Sequence, residues 1–458
     1  LSSYYFYMSW NVQYGCLILL VTAIGYGGGL LLAQNKVRQG KRRLAVLTGS
    51  VLLCVGILFF FKYSAFAVQN INELLRAVGS VRALRVPDLI LPVGISFYTF
   101  QTIGYLIDVW KGKTEAEKSF LRFALFVSFF PQLVAGPIER SSSLLAQLRE
   151  PAEFDYDRVK DGLLLMLWGY FEKLVVADNL APYVSAGLDA PDLVMGLSVF
   201  LASVLYAVQL YADFAGYSHI AIGCMQLLGF DVPENFRAPY FSTSVKEFWN
   251  RWHISLSSWL RDYVYIPLGG SRRGLARTCV NTMVVFLCSG LWHGAAWTFV
   301  AWGLLHGLYL VCGRLTLPLR KRLYTALRVP YGCLPARLWR TAWTFALVAF
   351  SMIFFRAGGM DAALSMVRSL LRPGAFPGRE AVLAWGMDGP DLLLSAVCVA
   401  AVVLCDVLRR RWGSLSARLL QKPLAVQWAV LLAGVLTVAI FGMYGEGYVE
   451  KPFIYFQF

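Results

Sequence analysis

The chain has 458 residues, 58% of them hydrophobic and only 15% charged, with a net charge of +15. A soluble domain carries roughly 25% charged residues, so this chain has too little polar surface to cover a water-soluble particle, and an all-α polytopic membrane protein is expected. The positive charges cluster in loops between apolar runs, a pattern of cytoplasmic-loop retention rather than of nucleic-acid binding. Leu1 is not an initiator, and the first ten residues resemble the end of an apolar helix, so a native N-terminal segment is expected to be missing.

In chain order, a first span falls near 16–34, with Gly25, Gly27, Gly28 and Gly29 suited to close helix packing. Lys36, Arg38, Lys41, Arg42 and Arg43 mark a cytoplasmic loop, followed by spans near 44–68 and 89–109. The run 120–137 is interrupted by Pro131 and Gly136 and suits a bent or re-entrant helix. Apolar runs 163–176 and 193–230 follow, the second holding one tilted span or a broken pair. Residues 240–277 are too polar to span and too aromatic for a free loop, so a re-entrant or interfacial helix pair is expected there. The run 280–311 reads as apolar again with His293 near its middle, and basic residues 314–328 lie inside. Spans near 343–355, 392–408 and 426–444 complete the chain, with the tail 446–458 outside; one membrane domain covers residues 1–458.

Chemistry near neutral pH has few carriers, because the only histidines are His219, His253, His293 and His306. An ionisable group at membrane depth is costly and usually functional. If 246–263 is one helix, His253, Ser257 and Arg261 share a face beside a stripe of Trp252, Leu256, Trp259 and Tyr263, as the wall of a substrate channel would. An interfacial aromatic belt with snorkelling arginines gives the same pattern. His293 lies between Trp292 and Trp297 among small residues, where an imidazole shielded from water stays neutral and able to accept a proton. On one continuous helix His306 would point about 140° away from His293, which makes it structural. His219, on a helix with Asp213, reads as a satisfied buried polar residue. The nine cysteines form no C-x-x-C pair and sit mostly in apolar runs, as small core residues. No H-x-x-x-H or H-E-x-x-H pair suggests a metal, and neither a serine-hydrolase elbow nor a phosphate-binding loop is present.

Several stretches carry a resemblance. They are LPVGISFYTFQTIGYLIDVW at 91–110, PQLVAGPIER at 131–140, ENFRAPY at 234–240, FWNRWHISLSSWLRDYVYIPLGG at 248–270, GLWHGAAW at 290–297 and FIYFQF at 453–458. Together they resemble the membrane-bound O-acyltransferase (MBOAT) family, in the branch of alginate and peptidoglycan O-acetyltransferase membrane subunits. The resemblance implies a ring of tilted transmembrane and re-entrant helices around a central tunnel. It makes His293 the essential histidine and His253 its partner; the tunnel candidates read from the residues themselves are Trp252, Asn250, Ser257, Arg261, Asp262, Trp292 and Asp213. Where the family commonly has D-F-S-G-Y-S-D, this chain has Ala215 and His219 in place of the first hydroxyl and the last carboxylate.

The expected activity is transfer of an acetyl group from a cytoplasmic thioester such as acetyl-CoA toward hydroxyls of an extracytoplasmic polysaccharide, with no bound cofactor. Arg251, Arg261, Arg272 and Arg273 are expected to attract that anionic donor. The resemblance also implies an outside-facing SGNH-type acetyltransferase partner, membrane lipid as surroundings, no nucleic acid, and a bacterial inner-membrane location. D-alanyl transfer to a cell-wall polymer is an alternative, although the Y-I-P-L-G-G-x-R-x-G continuation at 265–274 favours acetyl. A transport module passing an acyl donor without chemistry is the other.

Overall fold

The structure, a computed structural model, describes residues 1–34, 40–133, 136–189, 196–371, 388–445 and 453–454. Lys36, Arg38 and most of the tail 446–458 lie outside the described residues. Among the described residues every regular element is helical. Eight segments are long and apolar enough to cross a bilayer: Val12–Ala33, Lys41–Ala77, Ser198–Leu227, Gly274–His293, Trp297–Leu315, Leu334–Arg356, Gly389–Trp412 and Leu424–Phe441. The last of these presents no buried residue, as expected of a helix whose solvent is lipid.

The chain forms two compact units, Leu1–Arg158 with Cys224–Pro233, and Val159–Gly223 with Glu234–Phe458. In the first, helices Val12–Ala33 and Lys41–Leu58 pack on Ile95–Lys111, the segment expected as a span near 89–109. That helix is short and polar inside, with Thr99, Gln101, Thr102 and Asp108 all buried. Gln101 and Gln132 both donate to the Phe126 carbonyl, at 2.8 and 2.9 Å, and so hold the interrupted 120–137 segment.

The second unit carries all four histidines. Its Leu197–Leu227 helix runs unbroken, which decides the expectation of one span or a broken pair in favour of one. The apolar run 280–311 is not one continuous helix. The chain reverses at Gly294–Ala296, so that Gly274–His293 and Trp297–Leu315 form a helical hairpin. Gly294 is extended (φ −163°, ψ 154°), and a Cβ there would run into the Phe299 ring, so the reversal requires glycine. Gly290 and Gly303 then let the two backbones close on one another, since a Cβ on either would strike the carbonyl of Phe299 or of Phe286.

Candidate active site

The hairpin places His293 at the end of a helix, 3% exposed, inside a cage of rings. Its imidazole lies 5.0 Å from Trp292, 4.9 Å from Trp302 and 5.4 Å from Phe355, centroid to centroid. All three contacts are edge-on, the arrangement aromatic quadrupoles prefer.

His253 reaches the same place by a different local route. The Val245–Trp249 helix is capped at its start by Ser244, which accepts from the Glu247 amide at 3.2 Å. The helix expected over 246–263 does not continue from it. At His253 the backbone turns left-handed (φ 44°, ψ 55°), a region that non-glycine residues rarely occupy, and a second helix starts at Ile254. The physical reason lies in the preceding segment. The Arg251 carbonyl accepts from Arg237 N–H at 2.9 Å, and Ile254 N–H donates to the Asn235 carbonyl at 3.0 Å. The turn is thus hydrogen-bonded to 235–237 instead of along a helix axis.

This break separates the residues of the expected stripe. His253 is completely buried, edge-on to Phe214 at 4.7 Å and to Trp292 at 5.8 Å. Arg261 is exposed and paired with Asp262 at 2.8 Å, and Ser257 spends its hydroxyl on the Trp252 carbonyl at 3.2 Å. Trp252 is buried in an aromatic stack with Phe236 and Phe248, whereas Asn250 is exposed. Trp292 is in ring contact with both His253 and His293 and joins them into one site. His253 lies outside the eight spans, and burial pushes its pKa down to about 3. Its imidazole is therefore neutral at physiological pH.

His306 stands closer to this site than one continuous helix would allow, because the reversal at Gly294 folds its helix back. Trp302 touches His293 on one side and His306, at 4.8 Å, on the other. Both His306 nitrogens are nevertheless committed. Trp249 Nε1–H donates to Nδ1 at 3.3 Å, which leaves Nε2–H to donate to Ser351 Oγ at 2.9 Å. The Ser351 hydroxyl in turn donates to the Val348 carbonyl at 2.6 Å. His306 is a satisfied core residue beneath the site.

His219 sits in a charged line. Nδ1 is 2.5 Å from Glu172 Oε2, and Nε2 is 3.2 Å from an Arg409 guanidinium nitrogen. Beside it Tyr211 donates to Asp406, and Lys173 bridges Asp178 at 2.8 Å and Asp213 at 2.7 Å. Asp213 also accepts from the Ile454 amide at 3.0 Å, so its carboxylate is occupied by Lys173 and Ile454. Phe453 packs there against Phe214, the ring that borders His253.

A cavity of about 1180 Å³ opens in the same unit. Its polar wall carries Arg237, Arg251, Arg409 and Arg410 against the carboxylates Glu234, Glu247 and Asp406, a surplus of positive charge, and Asn250 lines it too. Of the four arginines expected to meet an anionic donor, only Arg251 lines this cavity; Arg261, Arg272 and Arg273 are exposed elsewhere. Phe236 on the cavity wall stacks edge-on against Trp252, immediately before His253. The sequence reading missed Trp302, Phe355, Arg409 and Asn235 as parts of the site. Asn235 was legible inside the ENFRAPY motif and Trp302 lies on the helix that follows His293, but Phe355 and Arg409 come from helices remote in sequence.

Two imidazoles in an apolar, ring-lined pocket, near a basic cavity, define an acyl-transfer class of membrane enzyme more readily than a metal or nucleotide-hydrolysis site. Residues 116–355 match the family described as MBOAT, membrane-bound O-acyltransferase, and the chain belongs to that family. It is a multi-pass membrane O-acyltransferase. It is 39% identical over 374 residues to a "Probable alginate O-acetylase AlgI" of Azotobacter vinelandii, covering 81% of this chain and 72% of the relative. It is 34% identical over 399 residues to a "Peptidoglycan O-acetyltransferase" of Helicobacter pylori, covering 81% and 72%. It is 28% identical over 281 residues to a "Teichoic acid D-alanyltransferase" of Bacillus subtilis, covering 58% and 69%.

Proposed function

We propose that this chain transfers an acetyl group from an acyl thioester on the cytoplasmic side toward hydroxyls of an extracytoplasmic polysaccharide, in the bacterial inner membrane. The observation that carries this reading is the joining of His253 and His293 through Trp292, with all three rings buried. In this reading His293 is the general base. It takes the proton of the acceptor hydroxyl as that oxygen attacks the thioester carbonyl, and the proton leaves with the departing thiol. Shielding by Trp302 and Phe355 keeps water from competing for the acyl group.

The donor side is supported by the cavity. Arg409 and Arg410 end the Gly389–Trp412 span, a basic end that the positive-inside rule assigns to the cytoplasm, and Arg237 and Arg251 join them there. A phosphate-bearing thioester such as acetyl-CoA suits that charge. Acetyl rather than D-alanyl is favoured by the 34–39% identity over 81% of the chain to relatives named for O-acetylation, against 28–32% over 48–58% of it to relatives named for D-alanyl transfer. An SGNH-type protein outside the membrane completes the reading as the acceptor-side partner.

Purified protein in liposomes, given radiolabelled acetyl-CoA, tests it. Thioester cleavage that disappears in His293→Gln supports the reading. Flux of donor without cleavage would place the chain among transport modules instead. In intact cells, base-released acetate supports acetyl transfer and base-released D-alanine overturns it.

A further inference from the structure

Asn235 makes more contacts in the site than its place in a loop suggests. Its side-chain oxygen accepts from Ser255 N–H at 3.2 Å and from Ser255 Oγ at 3.0 Å, and lies 3.2 Å from His253 Nδ1. Because a backbone amide can only donate, the atom facing Ser255 is the amide oxygen and not the nitrogen. The amide nitrogen points the other way, toward Ser218 Oγ at 3.4 Å. The Asn235 backbone is fixed as well, since its carbonyl accepts from Ile254 N–H. The residue is 1% exposed.

An amide oxygen has no proton to give. Its contact with His253 Nδ1 is a hydrogen bond only if Nδ1 carries the hydrogen. A neutral imidazole holds one N–H, so the lone pair then belongs to Nε2. The neighbours Phe214, Trp292, Asn235 and Ser255 carry no charge, and burial keeps the ring neutral. The left-handed turn at His253 brings Nδ1 back over the 235–237 segment, and so serves this contact.

We propose that Asn235 is a positioning residue that locks His253 in the Nδ1–H tautomer and so commits its Nε2 to accepting a hydrogen bond. Resting on the acyl-transfer reading, this divides the labour between the histidines. His253 Nε2 receives the hydrogen bond of the departing thiol and orients it, and stabilising charge on the thioester oxygen falls to other donors.

The tautomer can be read without any activity measurement. Protein labelled with ¹⁵N only in histidine, reconstituted in lipid bilayers, gives ring-nitrogen signals from four residues, and His253→Gln identifies which pair belongs to His253. A protonated Nδ1 and an unprotonated Nε2 are expected; a protonated Nε2 in the wild type overturns the proposal whatever the enzyme does. Asn235→Leu should lose or mix that tautomer and lower turnover at least tenfold. Asn235→Asp keeps an accepting oxygen and should recover most of the turnover. Its carboxylate raises the basicity of the imidazole, so the acid limb of the pH–rate profile should move to higher pH. Asp and Leu variants equally inactive, with the residual pH profile unmoved, would reduce Asn235 to packing and overturn the proposal. Donor flux without thioester cleavage would instead sink the acyl-transfer reading, leaving the tautomer result intact.

Discussion

The ring-lined pocket of His293 and the charged line through His219 lie in one unit and treat a buried imidazole in opposite ways. Around His293 the neighbours are Trp292, Trp302 and Phe355, whose edges can pack against a ring but exchange no proton with it. Around His219 both nitrogens face charged groups, Glu172 and Arg409, and the neighbouring carboxylates are held by Tyr211 and Lys173. A group held between opposite charges is fixed as part of the scaffold. A ring bordered by aromatic edges is shielded from water and set apart from that charged line. In the proposed reading His293 meets substrate, and His219 belongs to the scaffold.

The sharpest way to break this contrast is to compare His293→Gln with His306→Gln. The first should lower acyl transfer by about 10²- to 10⁴-fold, the usual worth of a general base, at unchanged membrane abundance. The second should stay within about tenfold of wild type, because His306 is committed to Trp249 and Ser351. Equal losses would merge the two histidines into one functional site.

On the charged side the expected damage is to stability. Glu172→Gln takes the carboxylate out of a line of contacts that runs from Glu172 through His219 to Arg409, and removing one charged partner from a buried network costs about 3–5 kcal/mol. Thermal unfolding in detergent should register a loss of that order, whereas a variant as stable as wild type would show the line to be dispensable. Below it comes Ser351→Ala, which strands the His306 Nε2–H; about 1–3 kcal/mol should be lost with turnover largely kept.

A pH series separates His253 from the charged line. Its folded pKa, about 3, lies below the ordinary histidine value of about 6.5. As pH falls through 6.5 the unfolded chain takes up a proton that the folded one refuses. The stability present above pH 6.5 is therefore lost toward pH 3, at up to about 1.4 kcal/mol per pH unit. Unfolding of His253→Gln should be less acid-sensitive than that of wild type over this range, and identical slopes would contradict the burial argument. The smallest effect belongs to Arg410→Gln at the cavity, where a few-fold rise in the donor KM with kcat unchanged is expected, weaker at high salt.

Composition alone determined that the chain is helical and membrane-embedded, because apolar runs of span length leave few other ways to satisfy a backbone in lipid. The motifs around His253 and His293 marked the site, since few residues in such a chain can move a proton. Periodicity misled wherever glycine or a left-handed residue broke it. A helix drawn through 246–263 put Arg261 on the His253 face, and a helix drawn through 280–311 turned His306 away from His293. Both turns depart from the helical repeat for a physical reason: hydrogen bonds with 235–237, from a separate segment, decide the first, and the nearby Phe299 ring pressed on Gly294 decides the second. The sequence determined which residues could act. Only the tertiary structure decided which of them meet, because Trp292 reaches His253, Phe355 reaches His293, Asn235 reaches His253 and Arg409 reaches His219 from separate segments that packing brings together.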